Sequence, residues 1–134
     1  MRDPRPARWL NCRILSRVYT DAVLEHFRNP HNVGDLTDAT ATVEVTNPVC
    51  GDVLRLGVKV EGGRIAAARF KAQGCVAAIA ASSVLTDLLA NKTPAEARGL
   101  TAQQVSDALG GLPAATFHAA QLGVDALAAL LRKL

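Results

Sequence analysis

The stretch that decides the fold runs from residue 54 to residue 72 and reads LRLGVKVEGGRIAAARFKA. Its first half alternates apolar with polar or small residues, which is the pattern of a half-buried β-strand. One face of this strand is expected to carry Leu54, Leu56, Val58 and Val60, and the other Arg55 and Lys59. Gly62-Gly63 supplies the two positive-φ positions of a tight hairpin turn. Ile65–Ala72 is therefore predicted to return as the next strand.

Upstream of this hairpin the sequence predicts one more strand and an opening helix. Thr40–Val45 is β-branched and alternating, as strands are. The helix starts from Tyr19, with Thr20 or Asp21 as its N-cap. It is expected to stop before Asn29-Pro30, because a proline disfavours helix in the residue that precedes it. A sheet of three antiparallel strands with one apolar face needs other elements to cover that face.

Helices downstream are predicted to supply that cover. The run from Cys75 to about Ala90 is built of small and aliphatic residues that permit close packing on a sheet, and Asn91 closes it. Thr93, followed by a proline at the first helical position, and Thr101, with a Gln-type capping box, each predict a further helix start. The last helix is predicted to open near Pro113 and to bury a stripe of residues spaced three and four apart: Phe117, Ala120, Val124, Leu127, Leu131 and Leu134.

These elements together predict an α+β fold, a two-layer sandwich of a three-stranded antiparallel sheet covered by helices. Residues 18–134 are expected to form it as a single domain. A chain of 134 residues can bury a core large enough to fold without disulfide bonds. Three widely spaced Cys residues and no secretory leader favour a reducing compartment, the cytoplasm.

The net charge of +3 is concentrated at the N-terminus. Residues 1–17 contain five Arg and one Asp, a net charge of +4 that leaves −1 for residues 18–134. A near-neutral body argues against nucleic-acid binding, and no uninterrupted apolar run reaches the length of a membrane span. Residues 1–17 are predicted to be a disordered basic tail, in which Cys12 is an incidental thiol.

Two loops at the ends of the predicted strands carry candidate metal ligands. The first, Asn47–Asp52, reads NPVCGD and presents the thiol of Cys50 two residues from a carboxylate. The second is Gln73-Gly74-Cys75. In both loops the Cys adjoins a Gly, which permits a positive φ or a close approach of the backbone to a ligand. Sulfur and carboxylate ligands on such loops are the parts of a metal site.

The competing interpretation is structural, because a lone Cys is most often a small buried hydrophobic residue. The structural interpretation is favoured for either Cys taken alone. The metal site is favoured when the two Cys are considered together with Asp52 and His118. Cys75 is predicted at the first turn of a helix, where free N–H groups favour a thiolate. His118, early in the last helix, reaches both loops if that helix packs across the end of the sheet. His31, in a turn-rich segment, is expected to be solvated.

Residues 19–134 resemble the iron–sulfur cluster scaffold family of the IscU and NifU N-terminal type. The resemblance rests on the opening helix and on five motifs: Asn29-Pro-His-Asn-Val-Gly34, Cys50-Gly-Asp52, Ala68-Arg-Phe-Lys71 leading to Gly74-Cys75, Ala80-Ala-Ser-Ser83, and Leu112-Pro113 to His118. It implies the same two-layer fold. It also implies a site of Cys50, Asp52, Cys75 and His118 that binds zinc or a nascent [2Fe–2S] cluster, with a cysteine desulfurase and cluster-acceptor proteins as partners.

The chain departs from this family in two places. Ala119 stands where the family has a Cys that is a ligand and is implicated in accepting sulfur. Leu112–Thr116 reads LPAAT in place of the Leu-Pro-Pro-Val-Lys element that the dedicated chaperones recognise. Sulfur acceptance and chaperone-driven transfer are therefore not carried over from the resemblance.

Three functions stay open at this point. The first is a non-enzymatic scaffold or carrier that binds iron and a [2Fe–2S] cluster through two Cys, one His and one Asp, a mixed set that cluster irons accept. The second is a mononuclear zinc site on the same residues. The third is a sulfur-transfer protein with a persulfide on Cys75.

Overall fold

The predicted hairpin forms the centre of the sheet in the computed structural model, which describes residues 19–47 and 51–134. Strand β2, Val53–Glu61, and strand β3, Arg64–Gln73, pair in antiparallel fashion around Gly62-Gly63. Strand β1, Ala41–Thr46, pairs with the other side of β2, so the strand order is β1-β2-β3. The expected tail, residues 1–17, and Cys50 lie outside the described residues.

The helices begin and end close to the predicted positions. Thr20 caps the first helix by accepting a hydrogen bond from Val23 N, and Asn91 follows the second with a φ of +65°. Thr93 and Thr101 both form complete capping boxes. The helices are α1 Asp21–Arg28, α2 Val76–Leu89, α3 Pro94–Ala97, α4 Ala102–Ala108 and α5 His118–Leu131.

Helices α2 and α5 cover the sheet. Helix α2 packs on β3 and on α5, while α5 packs on β1 and β2, and α1 packs on α2. The apolar face of β2 is buried by this layer, with Leu54, Leu56 and Val58 at most 1% exposed. Small residues let the layers approach closely, since a Cβ on Gly123 of α5 would lie 3.3 Å from the Leu85 side chain of α2. The α+β fold is confirmed. The continuous core supports the proposal of one domain.

Two helix starts differ from the prediction. Helix α5 begins at His118 rather than near Pro113, because the preceding residues Ala114–Thr116 form a 3₁₀ turn with Thr116 N donating to Pro113 O (2.9 Å). Cys75 is the N-cap of α2 rather than a residue of its first turn. His118 is thus the first residue of its helix, and the backbone of Cys75 is extended.

The loop that follows α1 lies along the outer edge of β3. Gly34 N donates to Phe70 O (2.8 Å), and Phe70 N donates to Asn32 O (3.0 Å). These bonds cover part of an edge strand that would otherwise expose unpaired backbone groups. The loop is also held to α2 by a hydrogen bond from His31 N to Ser83 Oγ (2.8 Å).

Among the described residues one helical segment, Ala114–Leu131, is long and apolar enough to cross a membrane by length and composition alone. A core helix of a globular protein passes the same test. Helix α5, which makes up most of the segment, packs on β1, β2 and α2, and this burial accounts for its apolar composition.

Candidate metal centre

The loop between β1 and β2 holds Asp52 at the end of the sheet. Gly51 N donates to Asn47 O (2.7 Å) and Asn47 N donates to Asp52 O (2.8 Å), which closes the loop at its base. Gly51 has a φ of +74°, as the Gly beside a Cys was expected to permit. Cys50 lies outside the described residues, so its role as a ligand stays a prediction.

Gly74 sits directly against the Asp52 side chain. Val53 of β2 pairs with Gln73 of β3. This pairing brings the adjoining residues, Asp52 and Gly74, together. A Cβ on Gly74 would lie 2.4 Å from Asp52 Oδ1 and 2.8 Å from Cγ, and the φ of Gly74 is +153°. Both the space and the backbone therefore require glycine. This glycine is what allows a carboxylate to be packed at the junction of β3 and α2.

Cys75 is the exposed free thiol at the N-terminus of α2. Its side chain does not cap the helix, and its Sγ lies 4.0 Å from Asp52 Oδ2, as donor to that oxygen. Tyr19 belongs to the same neighbourhood, because its pKa is raised first by burial and then by the charge of Cys75.

His118 reaches the site from the opposite side. It is the first residue of α5, which crosses β1 and β2, and its Nε2 lies 3.6 Å from Asp52 Oδ2. About a third of the side chain, 32%, is exposed. The expectation that the last helix would carry this imidazole to the end of the sheet is confirmed.

One sulfur, one nitrogen and one carboxylate oxygen thus converge from three different elements. The ligand atoms of Asp52, Cys75 and His118 all lie within 4.8 Å of one another. Asp52 is only 3% exposed, and a buried carboxylate is unfavourable unless charged or hydrogen-bonding groups compensate it. Imidazole, thiolate and carboxylate together suit zinc or iron. The donor set therefore fits a metal ion or a small cluster.

A cleft of about 210 Å³ opens beside His118, between the start of α5 and the end of β1. Gln121 and Asp125 line it on α5, with Gln121 Nε2 donating to Asp125 Oδ1 (2.8 Å). Neither residue was predicted to belong to the site. Their spacing of three and seven residues from His118 is the signal that could have found them, because it places all three on one face of a helix. Ala119, next to His118, is buried with 2% exposure.

Comparisons with known proteins identify the family of the chain. The sequence model of the NifU-like N-terminal domain matches residues 18–133. The chain is 46% identical over 110 residues to a protein of Archaeoglobus fulgidus named iron-sulfur cluster assembly scaffold protein IscU 1, covering 82% of this chain and 72% of that one. It is 42% identical over 120 residues to the scaffold protein IscU of Azotobacter vinelandii, covering 86% of this chain and 92% of that one.

Solved structures show the same fold. The NifU-like N-terminal protein of Brucella abortus superposes with a TM-score of 0.69 at 21% identity, covering 90% of this chain and 96% of that one, which is a likeness of fold alone. The family model spans nearly all of the predicted domain, and the chain covers more than two thirds of the two scaffold proteins. This chain therefore belongs to the NifU-like N-terminal domain family, to which its motifs had pointed.

Proposed function

We propose that this protein is a scaffold or carrier for iron–sulfur cluster assembly, which holds iron or a [2Fe–2S] cluster as its cargo. The observation that carries the proposal is the convergence of Asp52, Cys75 and His118 within 4.8 Å at the end of the sheet. The two relatives described above are named as scaffold proteins of this kind. Cys50, two residues before Asp52 in the sequence, would supply the fourth ligand.

The mixed donor set favours reversible binding. A carboxylate is a hard ligand and a poor match for a soft iron–sulfur centre, whereas the thiolate is a good one. Cys75 is exposed while Asp52 is packed against Gly74. One ligand is therefore accessible to an incoming or departing group, and another is fixed by the protein. That combination suits a protein that must release what it binds.

The sulfur would come from a cysteine desulfurase, and acceptor proteins would take the finished cluster. Ala119 leaves this site without a thiol beside His118, so Cys75 is the thiol that the described residues bring to it, and Cys50 would be the second. A direct transfer of sulfur to Cys75 fits its exposure and its place at a helix N-terminus. Thiol ligands are kept reduced in the cytoplasm, which is the compartment we propose.

Anaerobic reconstitution with ferrous iron, cysteine, a desulfurase and a thiol reductant, which supplies the electrons that convert the delivered sulfur to sulfide, tests the proposal. The parent should gain iron and acid-labile sulfide in equal amounts, together with the visible absorption of a cluster. Cys75→Ser should abolish both, and Asp52→Ala should retain a cluster that leaves more slowly. Cys12→Ser is the matched thiol control and should behave as the parent. Undiminished cluster formation in Cys75→Ser would refute the proposed site.

A single zinc ion is the second candidate, and the distances favour it for the resting protein. Ligand atoms on a tetrahedral zinc ion lie about 3.3–3.8 Å apart, given bond lengths near 2.0–2.3 Å. The observed separations of 3.6 Å (His118 to Asp52) and 4.0 Å (Cys75 to Asp52) need little change to reach that spacing. Zinc without sulfide after anaerobic purification, and no cluster on reconstitution, would establish this function in place of the first.

A further inference from the structure

A second group of potential metal ligands lies apart from the site already described. The ligand atoms of His26, His31 and Asp87 lie within 4.8 Å of one another. His26 belongs to α1, His31 to the loop after it, and Asp87 to the last turn of α2. Asp87 follows Cys75 by 12 residues, about 18 Å along the helix at its rise of 1.5 Å per residue. The two groups are therefore separate.

The backbone around this group favours a cation. Asp87 lies in the last turn of α2, a turn that contains no basic residue of that helix. His26 lies in the last turn of α1, which packs against α2. Helix C-termini carry a partial negative charge, and here the ends of two helices meet a carboxylate. A divalent ion gains from the carboxylate and from these helix ends, while Arg28 in the last turn of α1 is the opposing charge.

Neighbouring side chains hold the three ligands in place. Asn32 Nδ2 donates to Asp87 Oδ1 (3.2 Å), which orients the carboxylate and directs its Oδ2 toward His31 Nδ1 (2.6 Å). Ser83 Oγ lies 2.7 Å from His26 Nδ1. Hydrogen bonds of this kind orient the ligands of metal sites and fix imidazole tautomers.

We propose that His26, His31 and Asp87 form a second binding site for a divalent transition-metal ion, with zinc as its simplest occupant. Two imidazoles and one carboxylate are three protein ligands, and a water molecule completes a tetrahedral zinc ion. Ligand atoms on such an ion lie roughly 3.3 Å apart. The His31 and Asp87 side chains, 47% and 39% exposed, are free enough to widen from their 2.6 Å hydrogen bond to that spacing.

Zinc titration of a chain without the first site isolates this one. In the combined variant Cys12→Ser, Cys50→Ser, Cys75→Ser and His118→Gln, one equivalent of zinc should still bind. The imidazole resonances of its two remaining histidines, His26 and His31, should shift as zinc is added. Adding Asp87→Asn should weaken this binding at least tenfold while keeping the hydrogen bonds of the side chain. Adding Asp38→Asn, a carboxylate paired with Lys59 elsewhere, is the matched control and should change nothing.

Single substitutions in the parent chain, followed by their combination, give an independent measurement. Its zinc stoichiometry should fall from two equivalents to one in Asp87→Asn, and the zinc that remains should be lost with Cys75→Ser. No zinc bound by a folded combined variant would overturn the proposal. So would zinc binding in that variant that is unchanged by Asp87→Asn together with His31→Asn. Neither result would affect the cluster scaffold function, because the first site is measured separately.

Discussion

Replacing Gly74 by Ala is the sharpest structural test of the metal centre. The new Cβ would lie 2.4 Å from Asp52 Oδ1 and 2.8 Å from its Cγ, closer than real Cβ contacts come, and the φ of +153° disfavours any side chain. Strain of this backbone type costs about 1–3 kcal/mol. Relieving an overlap in a packed site costs a further 1–3 kcal/mol or so. Either the protein is destabilised by the sum, or Asp52 moves away and the site loses its geometry.

Gly34→Ala separates the two contributions. Gly34 has a φ of +127°, also in the region that favours glycine, but nothing lies within 4 Å of its Cβ position. Urea unfolding should therefore show the backbone strain alone in Gly34→Ala. Gly74→Ala should show either a larger loss of unfolding free energy, or an equal loss together with weaker zinc binding. The weakening should be roughly 10- to 100-fold, which is the range for disturbing groups that orient a ligand. Zinc affinity is measured by competition with a chromophoric chelator.

A double-mutant cycle shows whether Asp52 is the cause. Asp52→Ala removes Oδ1 and Cγ and leaves only the Cβ, which lies 3.1 Å from the added methyl group. The extra cost of Gly74→Ala should therefore shrink in the Asp52→Ala background. A Gly74→Ala variant that binds zinc with the parent's affinity and unfolds no more easily than Gly34→Ala would show that Gly74 does not hold Asp52 in place.

Three further predictions concern other parts of the chain. Deletion of residues 1–17 should leave the circular dichroism spectrum and the metal content unchanged, and a loss of metal would show that Cys12 is a ligand. Ala119→Cys should fold with a loss of about 1 kcal/mol or less in unfolding free energy, because a larger side chain enters a position that is 2% exposed. This variant should assemble a cluster faster than the parent, and equal rates would show the third thiol to be dispensable. The lowered pKa of His26 means that the folded state binds its proton less readily than the unfolded chain. Stability should therefore fall as the pH drops below about 6.5, and urea midpoints at pH 7.5 and 5.5 should differ less in His26→Gln.

Much of the fold could be predicted because local signals agree with the tertiary structure. The Gly62-Gly63 turn, the alternation in β2 and the two Thr capping boxes each depend on near neighbours in the sequence, and each is present. The exact start of α5 could not be predicted in this way. The helix starts only after a 3₁₀ turn at Ala114–Thr116. Upstream of this turn, Leu112 N donates a hydrogen bond to Ser106 Oγ of α4 (2.8 Å), which ties the connecting segment to a separate element.

The candidate site could be predicted in composition and only partly in geometry. Residue chemistry and spacing indicated Asp52, Cys75 and His118, and the fold brings them together. Sequence reasoning treated His31 as a solvated turn residue. It is exposed, yet it contacts Asp87, and its ring centroid lies 4.6 Å from that of His26. That cluster depends on how the loop after α1 folds back onto α2, and no local pattern in the sequence encodes the contact.

A small irregularity in the register of the central hairpin brings the parts of the candidate metal centre together. The two-residue turn pairs Glu61 with Arg64, and a regular ladder from there would place Gln73 opposite Asp52. The pairing shifts by one residue between Lys59 and Val60, so that Val53 pairs with Gln73 and Gly74 comes to lie against Asp52. A bulge of this kind re-aims the side chains beyond it. Only glycine leaves room there for the buried carboxylate, so the candidate metal centre depends on this shift as directly as on its proposed ligands.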